Sequence, residues 1–378
     1  MSSQDFVRTL PSAGSGSAGA TLLRVHLDPL FLCVLIAIVC YGLVVLFSAV
    51  NRDMDVFGNQ LIRMGIAFIA LFAAAQLQPS FYLRWAPFVY IGGVVLLVLV
   101  LLIGVEVKGS QRWLDIPGLP RFQPSELMKI AVPMMVAWYF HDRPLPPRFK
   151  DVCAALLIIA IPAACIIRQP DLGTGILVAG AGVAVLVLAG LYWRWILYAG
   201  LSLAVAAPGL WYTLQDYQRQ RILTLFDPQS DPLGAGWNII QSTTAIGSGG
   251  VWGKGLFQGT QSHLEFLPES QTDFIIAVVG EELGLVGILG LLALYLIVIA
   301  RGLMIAVQAQ STFGRLLAGA LTLTFFVYVF VNIGMVSGLL PVVGVPLPLV
   351  SYGGTSVVTL LTGFGILMSI YGHRKFIR

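Results

Sequence analysis

Residues 30–50 read LFLCVLIAIVCYGLVVLFSAV, a continuous apolar run without a single charged side chain. A transmembrane α-helix needs about 20 predominantly apolar residues to cross the hydrocarbon core of a bilayer. The run is long enough to do so, and no cleavage-site pattern of a removable signal peptide accompanies it. The sequence therefore predicts that this segment stays in the membrane as the first transmembrane helix.

The whole composition agrees with this first segment. Of the 378 residues 57% are hydrophobic and 11% are charged, whereas soluble domains carry about 25% charged residues. This excludes a soluble enzyme and predicts an all-α integral membrane protein. Apolar runs between polar or Pro/Gly breaks predict ten transmembrane helices at 30–50, 60–77, 86–105, 124–140, 152–168, 174–192, 195–214, 274–300, 315–338 and 354–371.

The distribution of Lys and Arg predicts the orientation of these helices. Both tails and the even-numbered connections are basic, so we expect the N- and C-termini to be cytoplasmic. The predicted organisation is a flexible Ser/Gly-rich tail (1–26), one membrane domain (27–372) and a basic tail (373–378). The predicted extracytoplasmic loops are 106–123, 215–273 (the large loop between helices 7 and 8) and 339–353.

A second group of basic residues falls on the predicted outer side, mostly around loops 106–123 and 215–273. Cations on that side work against insertion, so as a group they indicate an anionic ligand. Any one of them is equally well explained as a solvated loop charge. The group consists of Arg52, Arg63, Lys108, Arg112, Arg121, Lys129, Arg168, Arg219, Arg221 and Lys254.

The first polar stretch comprises GSQRW (109–113) and FQPSELMK (122–129). Pro124 suits the first position of a helix, and Glu126 then lies in the first turn, where the helix dipole favours a carboxylate. Lys129 lies on the same helix face but is a cation at the unfavourable end of the dipole. Two interpretations stay open: a structural Glu126–Lys129 ion pair, or a pair that binds a charged substrate.

Two further stretches interrupt the apolar pattern. RQPDLGT (168–174) is a proline-broken turn that we expect to bring Asp171 to the surface. Residues 227–259 contain the glycine-rich GSGGVWGKG, which lacks both the first Gly and the final Ser or Thr of a phosphate-binding P-loop. No nucleotide site is predicted there.

Residues 264–275, LEFLPESQTDFI, place Thr272 and Asp273 at the start of the eighth helix. Asp273 by itself is either a helix-capping acid or a functional carboxylate. Glu281 and Glu282 follow two turns deeper, where each carboxylate costs about 2.5–3.5 kcal/mol. Both therefore need partners, and we expect them to join helices.

The last polar stretch, PVVGVPLPLVSYGGT (341–355), is rich in Pro and Gly. Irregular backbone at membrane depth persists only where it is buried in protein or lines a wet cavity. We therefore expect a re-entrant loop that faces a site. The four histidines and four cysteines are scattered, and they predict neither a zinc site nor a disulfide framework.

The motifs QRW, QPSE, QPDLGTG, LEFLPE with TDFI, and PLPLVSYGG, in this order, resemble the SEDS family of shape, elongation, division and sporulation proteins. The resemblance extends from the first helix to the C-terminus, and only the N-terminal tail lies outside it. GAGWNIIQSTTAIGSGG (234–250) and GGTSVVTLLTGFGILMSI (353–370) are similar to the rod-shape elongation branch rather than the division branch.

The resemblance implies a ten-helix bundle in the bacterial inner membrane that polymerises lipid II into β-1,4 glycan strands. It implies a class B penicillin-binding protein transpeptidase and other elongation-machinery membrane proteins as partners. Asp273 would be the essential carboxylate. Candidate substrate-binding residues from these motifs and the outer cations are Arg63, Arg112, Trp113, Gln123, Ser125, Glu126, Lys129, Asp171, Arg221, Ser351 and Tyr352.

The implied chemistry suits these residue types. A diphosphate leaving group needs positive charge on its oxygens, from Arg, Lys or a divalent cation such as magnesium or manganese. A carboxylate at the membrane surface, Asp273, is suited to accept the proton of the acceptor hydroxyl. The alternative is a lipid II flippase without chemistry, which needs polar groups along a whole translocation path. Confinement of the polar residues to the outer half favours the enzyme.

Overall fold

The computed structural model describes residues 26–107, 110–115, 122–231, 234–263 and 269–373, so the predicted tails at 1–25 and 374–378 lie outside the described residues. The described chain is mainly helical. Its helices are α1 (Pro29–Ala49), α2 (Met54–Gln76), α3 (Pro79–Ile103), α4 (Pro124–Phe140), α5 (Phe149–Arg168), α6 (Leu172–Leu188), α7 (Trp193–Thr213), α8 (Asp216–Phe226), α9 (Ala235–Gly249), α10 (Thr260–His263), α11 (Ile275–Val307), α12 (Thr312–Val336) and α13 (Thr355–Gly372).

Each apolar run that predicted a helix forms one, and α4 has the predicted bounds. Among the described residues seven helices are long and apolar enough to cross a membrane, namely α1, α2, α3, α5, α11, α12 and α13. Proline occupies the start of α1, α3 and α4, which confirms the position predicted for Pro124. Asp28 caps α1 by accepting a hydrogen bond from the Phe31 amide at 3.2 Å.

The connections hold more structure than the sequence predicted. Residues 105–107 (β1) and 110–113 (β2) form an antiparallel hairpin inside the first predicted loop. The large loop contains α8, α9 and α10. On α9 the buried residues Ile239, Ser242 and Ala245 recur every three positions, a helical spacing that marks one packed face. The sequence did not predict these helices because short amphipathic helices carry no long apolar run.

Helix α11 is broken at Gly284, whose φ of 66° only glycine adopts readily. The segment that follows α9 lies beside the break and forms the hydrogen bonds that a regular helix would form. The Leu285 amide donates to the Gly250 carbonyl at 3.0 Å, and the Lys254 amide donates to the Glu281 carbonyl at 3.0 Å. A single regular helix over the predicted eighth span was therefore wrong, since the tertiary contact replaces part of the helix.

The two deep carboxylates have the partners that the sequence required. Glu281 Oε1 accepts hydrogen bonds from Lys254 Nζ and the Thr260 amide, both at 2.7 Å. Glu282 Oε1 accepts from Ser48 Oγ of α1 at 2.6 Å. The expectation that these acids join structural elements is confirmed. Lys254, expected among the ligand-binding cations, instead neutralises a buried acid.

Helix α12 lies at the centre of the packing, and α4 is almost as deeply buried. Helices α2 and α13 approach closely at Gly365, where an added Cβ would lie 2.3 Å from the Leu71 carbonyl oxygen. By contrast, α7 is peripheral, and none of its described side chains is buried. The ends of buried helices surround the cavity that forms the candidate site.

We expect Gly249→Ala to destabilise the protein and Gly247→Ala to leave it unchanged or slightly more stable. A Cβ at Gly249 would lie 2.0 Å from the Gly280 carbonyl oxygen, whereas at Gly247 nothing lies within 4 Å. Overpacking costs about 1–3 kcal/mol, and Ala in a helix gains up to about 1 kcal/mol over Gly. The apparent melting temperature in detergent measures both. Equal melting temperatures for the two variants would contradict the close docking of α9 on α11.

Candidate functional site

A cavity of about 400 Å³ lies where the predicted polar stretches meet, at the N-terminal ends of α4, α6 and α13, beside the segment before α11. Strand β2 and the connection between α12 and α13 complete its wall. Its lining residues are Arg112, Trp113, Gln123, Glu126, Lys129, Asp171, Thr174, Leu177, Glu269, Thr272, Asp273, Tyr328, Gly344, Val345, Pro346, Tyr352, Gly353, Gly354, Thr355 and Ser356.

Eight of the twelve candidate residues line this cavity. They are Arg112, Trp113, Gln123, Glu126, Lys129, Asp171, Asp273 and Tyr352. They come from stretches that are far apart in the chain, from Arg112 to Tyr352, which matches the expectation of one shared site. The glycine-rich segment 227–259 contributes no lining residue from its described part.

The two candidate serines do not reach the cavity. Ser125 is 1% exposed and lies within the packed face of α4. Ser351, 2% exposed, accepts a hydrogen bond from the Leu347 amide at 2.8 Å and donates one to the Thr272 carbonyl. Both side chains are buried and outside the cavity lining, and their role in substrate binding stays a prediction. Ser351 holds the backbone beside Asp273.

The two candidate arginines outside the lining set lie elsewhere. The Arg63 guanidinium lies 4.6 Å from the centre of the Tyr352 ring, so Arg63 is at the rim of the cavity. Arg221 lies on α8 and is absent from the lining of the cavity in the described structure. A substrate-binding role for Arg221 therefore stays a prediction, and the segment that carries it forms the helix α8.

Arg112 and Asp171 form one charged pair of the cavity. Arg112 Nη1 lies 3.5 Å from Asp171 Oδ2, and Arg112 Nη2 donates to the Pro170 carbonyl at 3.1 Å. Asp171 also caps α6 by accepting a hydrogen bond from the Thr174 amide at 3.2 Å. Asp171 is only 5% exposed, so the expectation that it reaches the surface was wrong. The β-hairpin covers it.

Glu126 and Lys129 form the second pair, 2.6 Å apart, with side chains 8% and 13% exposed. Lys129 Nζ also lies 4.6 Å from the centre of the Tyr328 ring, a distance typical of a cation–π contact. The ion-pair interpretation is correct, and the pair also lines the cavity. The two interpretations left open by the sequence are therefore compatible.

Asp273 lines the same cavity and lies just before α11. The N-cap of this helix is Phe274, with no side-chain cap hydrogen bond, so the capping interpretation was wrong. Gly344, with φ of 78°, lies beside the carboxylate, since an added Cβ would be 3.4 Å from Asp273 Oδ2. The connection that carries Gly344 is irregular, and it buries Leu347, consistent with the predicted re-entrant loop.

Sequence reasoning missed part of the lining. Tyr328 lies in the middle of the apolar run of α12, so nothing in its neighbourhood indicated a site. Glu269 and Thr272 belong to the polar stretch 264–275, but neither was predicted as a site residue. Glu269 Oε2 accepts a hydrogen bond from Thr272 Oγ1 at 2.8 Å, which shows that this short segment folds on itself.

The charge of the cavity differs from the expectation of a cationic site. Its lining contains the cations Arg112 and Lys129 and four carboxylates, those of Glu126, Asp171, Glu269 and Asp273. Both cations are already paired with acids, so an anionic ligand meets no excess of positive side chains. Of the other predicted outer bases, Lys108 and Arg121 lie outside the described residues, and the described ones are absent from the lining.

Similar proteins align with almost the whole of this chain. Peptidoglycan glycosyltransferase MrdB of Escherichia coli K12 is 55% identical over 355 residues, which cover 94% of this chain and 96% of MrdB. The probable peptidoglycan glycosyltransferase FtsW of Geobacter metallireducens is 37% identical and covers 92% of this chain and 95% of its own.

Two solved structures have the same fold. One, described as showing structural coordination of polymerization and crosslinking by a peptidoglycan synthase complex, matches with a TM-score of 0.82 and 30% identity, over 92% of this chain and 99% of the other. The rod shape determining protein RodA of Thermus thermophilus matches with a TM-score of 0.70 and 27% identity, over 92% and 98%. The sequence profile of the FtsW/RodA/SpoVE family, described as cell cycle proteins, matches residues 28–376. The chain therefore belongs to the FtsW/RodA/SpoVE family, and it is a multi-pass membrane protein.

Proposed function

We propose that this chain is a peptidoglycan glycosyltransferase that polymerises lipid II into β-1,4 glycan strands during cell elongation and rod-shape maintenance. The observation that carries the proposal is one cavity whose lining combines Asp273 with the Glu126–Lys129 and Arg112–Asp171 pairs. The 55% identity with a peptidoglycan glycosyltransferase over nearly the whole chain supports the reaction class.

In this reaction the 4-hydroxyl of one lipid II attacks the anomeric carbon of another, and the bond from that carbon to the diphosphate breaks. Asp273 accepts the hydroxyl proton as general base. The diphosphate leaves with the electron pair, and Arg112 and Lys129 stabilise its developing charge. A single displacement converts the α-linked diphosphate into a β-linked glycan, so no covalent enzyme intermediate is required.

The donor set of the cavity fits a divalent cation only in part. Within the described residues no three His, Cys, Asp or Glu side chains are grouped closely enough to hold a metal ion. Buried oxygens of Glu126 (Oε2) and Asp171 (Oδ2) make no hydrogen bond there, however. Mg²⁺ typically binds one or two carboxylates plus substrate phosphates. Glu126 and Asp171 would hold such an ion together with the substrate phosphates, and the ion would add the positive charge that the lining lacks.

We further propose ten transmembrane helices, cytoplasmic termini, and a cavity that opens on the outer face of the bacterial inner membrane. The basic tails and inner connections support this orientation. The partner would be a class B penicillin-binding protein transpeptidase, within a larger elongation machinery. Its support is the similar solved structure, which is described as coordinating polymerization with crosslinking.

Asp273→Asn tests the base. We expect the polymerisation rate to fall about 10²- to 10⁴-fold, the typical contribution of a general base. Glycan products are measured by gel electrophoresis after the purified protein, with its transpeptidase partner, is given lipid II. Asp216→Asn is a matched control, since Asp216 is fully exposed and outside the cavity. Wild-type rates for Asp273→Asn would contradict the base assignment, and transport without any polymer from the wild type would favour a flippase.

Lys129→Met separates substrate binding from ion pairing. The single variant leaves the buried Glu126 unpaired, which lowers stability. The double variant Glu126→Gln, Lys129→Met restores the charge balance. If Lys129 binds the diphosphate, kcat/KM falls about 10- to 100-fold in both variants, while the melting temperature recovers in the double one. If the double variant recovered kcat/KM together with stability, the role of Lys129 would be purely structural.

Chelation tests the divalent cation. We expect excess EDTA to lower the polymerisation rate at least about tenfold, because the charge on the leaving diphosphate is then stabilised by side chains alone. Adding Mg²⁺ or Mn²⁺ should restore the rate, and EDTA saturated with Mg²⁺ is the control. Full activity in excess EDTA would show that Arg112 and Lys129 suffice.

A further inference from the structure

Asn332 is a polar side chain in an apolar helix, and the proposed chemistry gives it no role. It lies four residues before the end of α12 and is 0% exposed. Its Nδ2 donates two hydrogen bonds, to the Asp273 carbonyl at 2.8 Å and to the Val345 carbonyl at 2.7 Å. Both acceptors belong to residues that line the cavity.

These two hydrogen bonds join the two segments on either side of the Asp273 carboxylate. One segment carries Asp273 itself, and the other carries Gly344, which lies against Asp273 Oδ2. Both partners of Asn332 are carbonyl oxygens, so the amide must direct its NH₂ group to them. The amide thereby fixes the spacing between the proposed base and the facing wall.

Stability alone explains Asn332 poorly. Its Oδ1 is buried and makes no hydrogen bond within the described structure, and an unsatisfied buried acceptor is destabilising. By contrast, the buried Thr322 and Thr324 of the same helix donate their hydroxyls to carbonyls of their own helix.

We infer that Asn332 is a positioning residue for Asp273 in the proposed glycosyl transfer, on which this inference rests. It holds the backbone of the base and the Gly344–Val345 wall at a fixed separation, so that the carboxylate meets the acceptor hydroxyl at reacting distance. Asn332 does not touch the substrate, and it acts through the placement of Asp273. Loss of the amide therefore lowers turnover and leaves substrate binding largely intact.

The test compares Asn332→Ala, the isosteric Asn332→Asp and the matched control Thr322→Val in the full-length chain with its transpeptidase partner. Asn332→Asp keeps the shape but replaces the donor by an acceptor that faces two carbonyls. We expect kcat to fall about 10- to 100-fold in both Asn332 variants, the effect of a small misplacement of a reacting group. KM for lipid II should change less than about threefold.

Thr322→Val removes a buried hydroxyl from the same helix, so it should lower the melting temperature while kcat stays close to wild type. Hydrogen exchange of the amides at 271–274 provides a second measurement, and it should accelerate only in the Asn332 variants. Wild-type kcat in Asn332→Asp, or an equal loss in Thr322→Val, would overturn the inference. If the wild type makes no polymer, the proposed function fails instead, and the exchange measurement still tests whether Asn332 holds the segment.

Discussion

The structure depends on the absence of water around its buried polar groups. In hydrocarbon or in a packed helix bundle, a carboxylate or a backbone amide must find its partner within the protein. Glu281 and Glu282 illustrate this requirement, since their donors come from α1 and from the segment after α9. These bonds attach the large connection to the broken helix α11. The position of Asp273 depends on that attachment, because Asp273 lies between the connection and the helix.

The same requirement shapes the cavity. Its two ion pairs involve carboxylates that are nearly buried, and the cation of each pair also contacts a distant part of the chain. Arg112 of the hairpin reaches Asp171 at the start of α6, and Lys129 reaches Tyr328 of α12 as well as Glu126. Charges that are already neutralised give the cavity little net attraction for an anion. Binding of the proposed diphosphate substrate would then depend on the placement of the paired side chains more than on net charge.

Backbone geometry provides the remaining precision. Gly284 and Gly344 adopt positive φ values, the first to break α11 and the second to pass beside Asp273. Ser351 and Asn332 then hold carbonyl groups on either side of the proposed base. Polar side chains that could be substrate-binding residues by sequence thus form hydrogen bonds to the backbone instead. A motif alone cannot distinguish these roles, because both require a small polar group at the same place in the chain.

The sequence by itself determined the mainly helical membrane architecture, the approximate positions of the long helices and eight of the twenty residues that line the cavity. It could do so because apolar run length and proline placement act locally. It did not determine the hairpin, the helices of the large connection or the break at Gly284, since short elements form only against their neighbours. Only the tertiary structure decided that Ser125, Ser351 and Arg221 lie off the cavity and that Tyr328 and Asn332 belong to the site. The direction of a side chain depends on packing between segments far apart in the chain, and no local pattern records it.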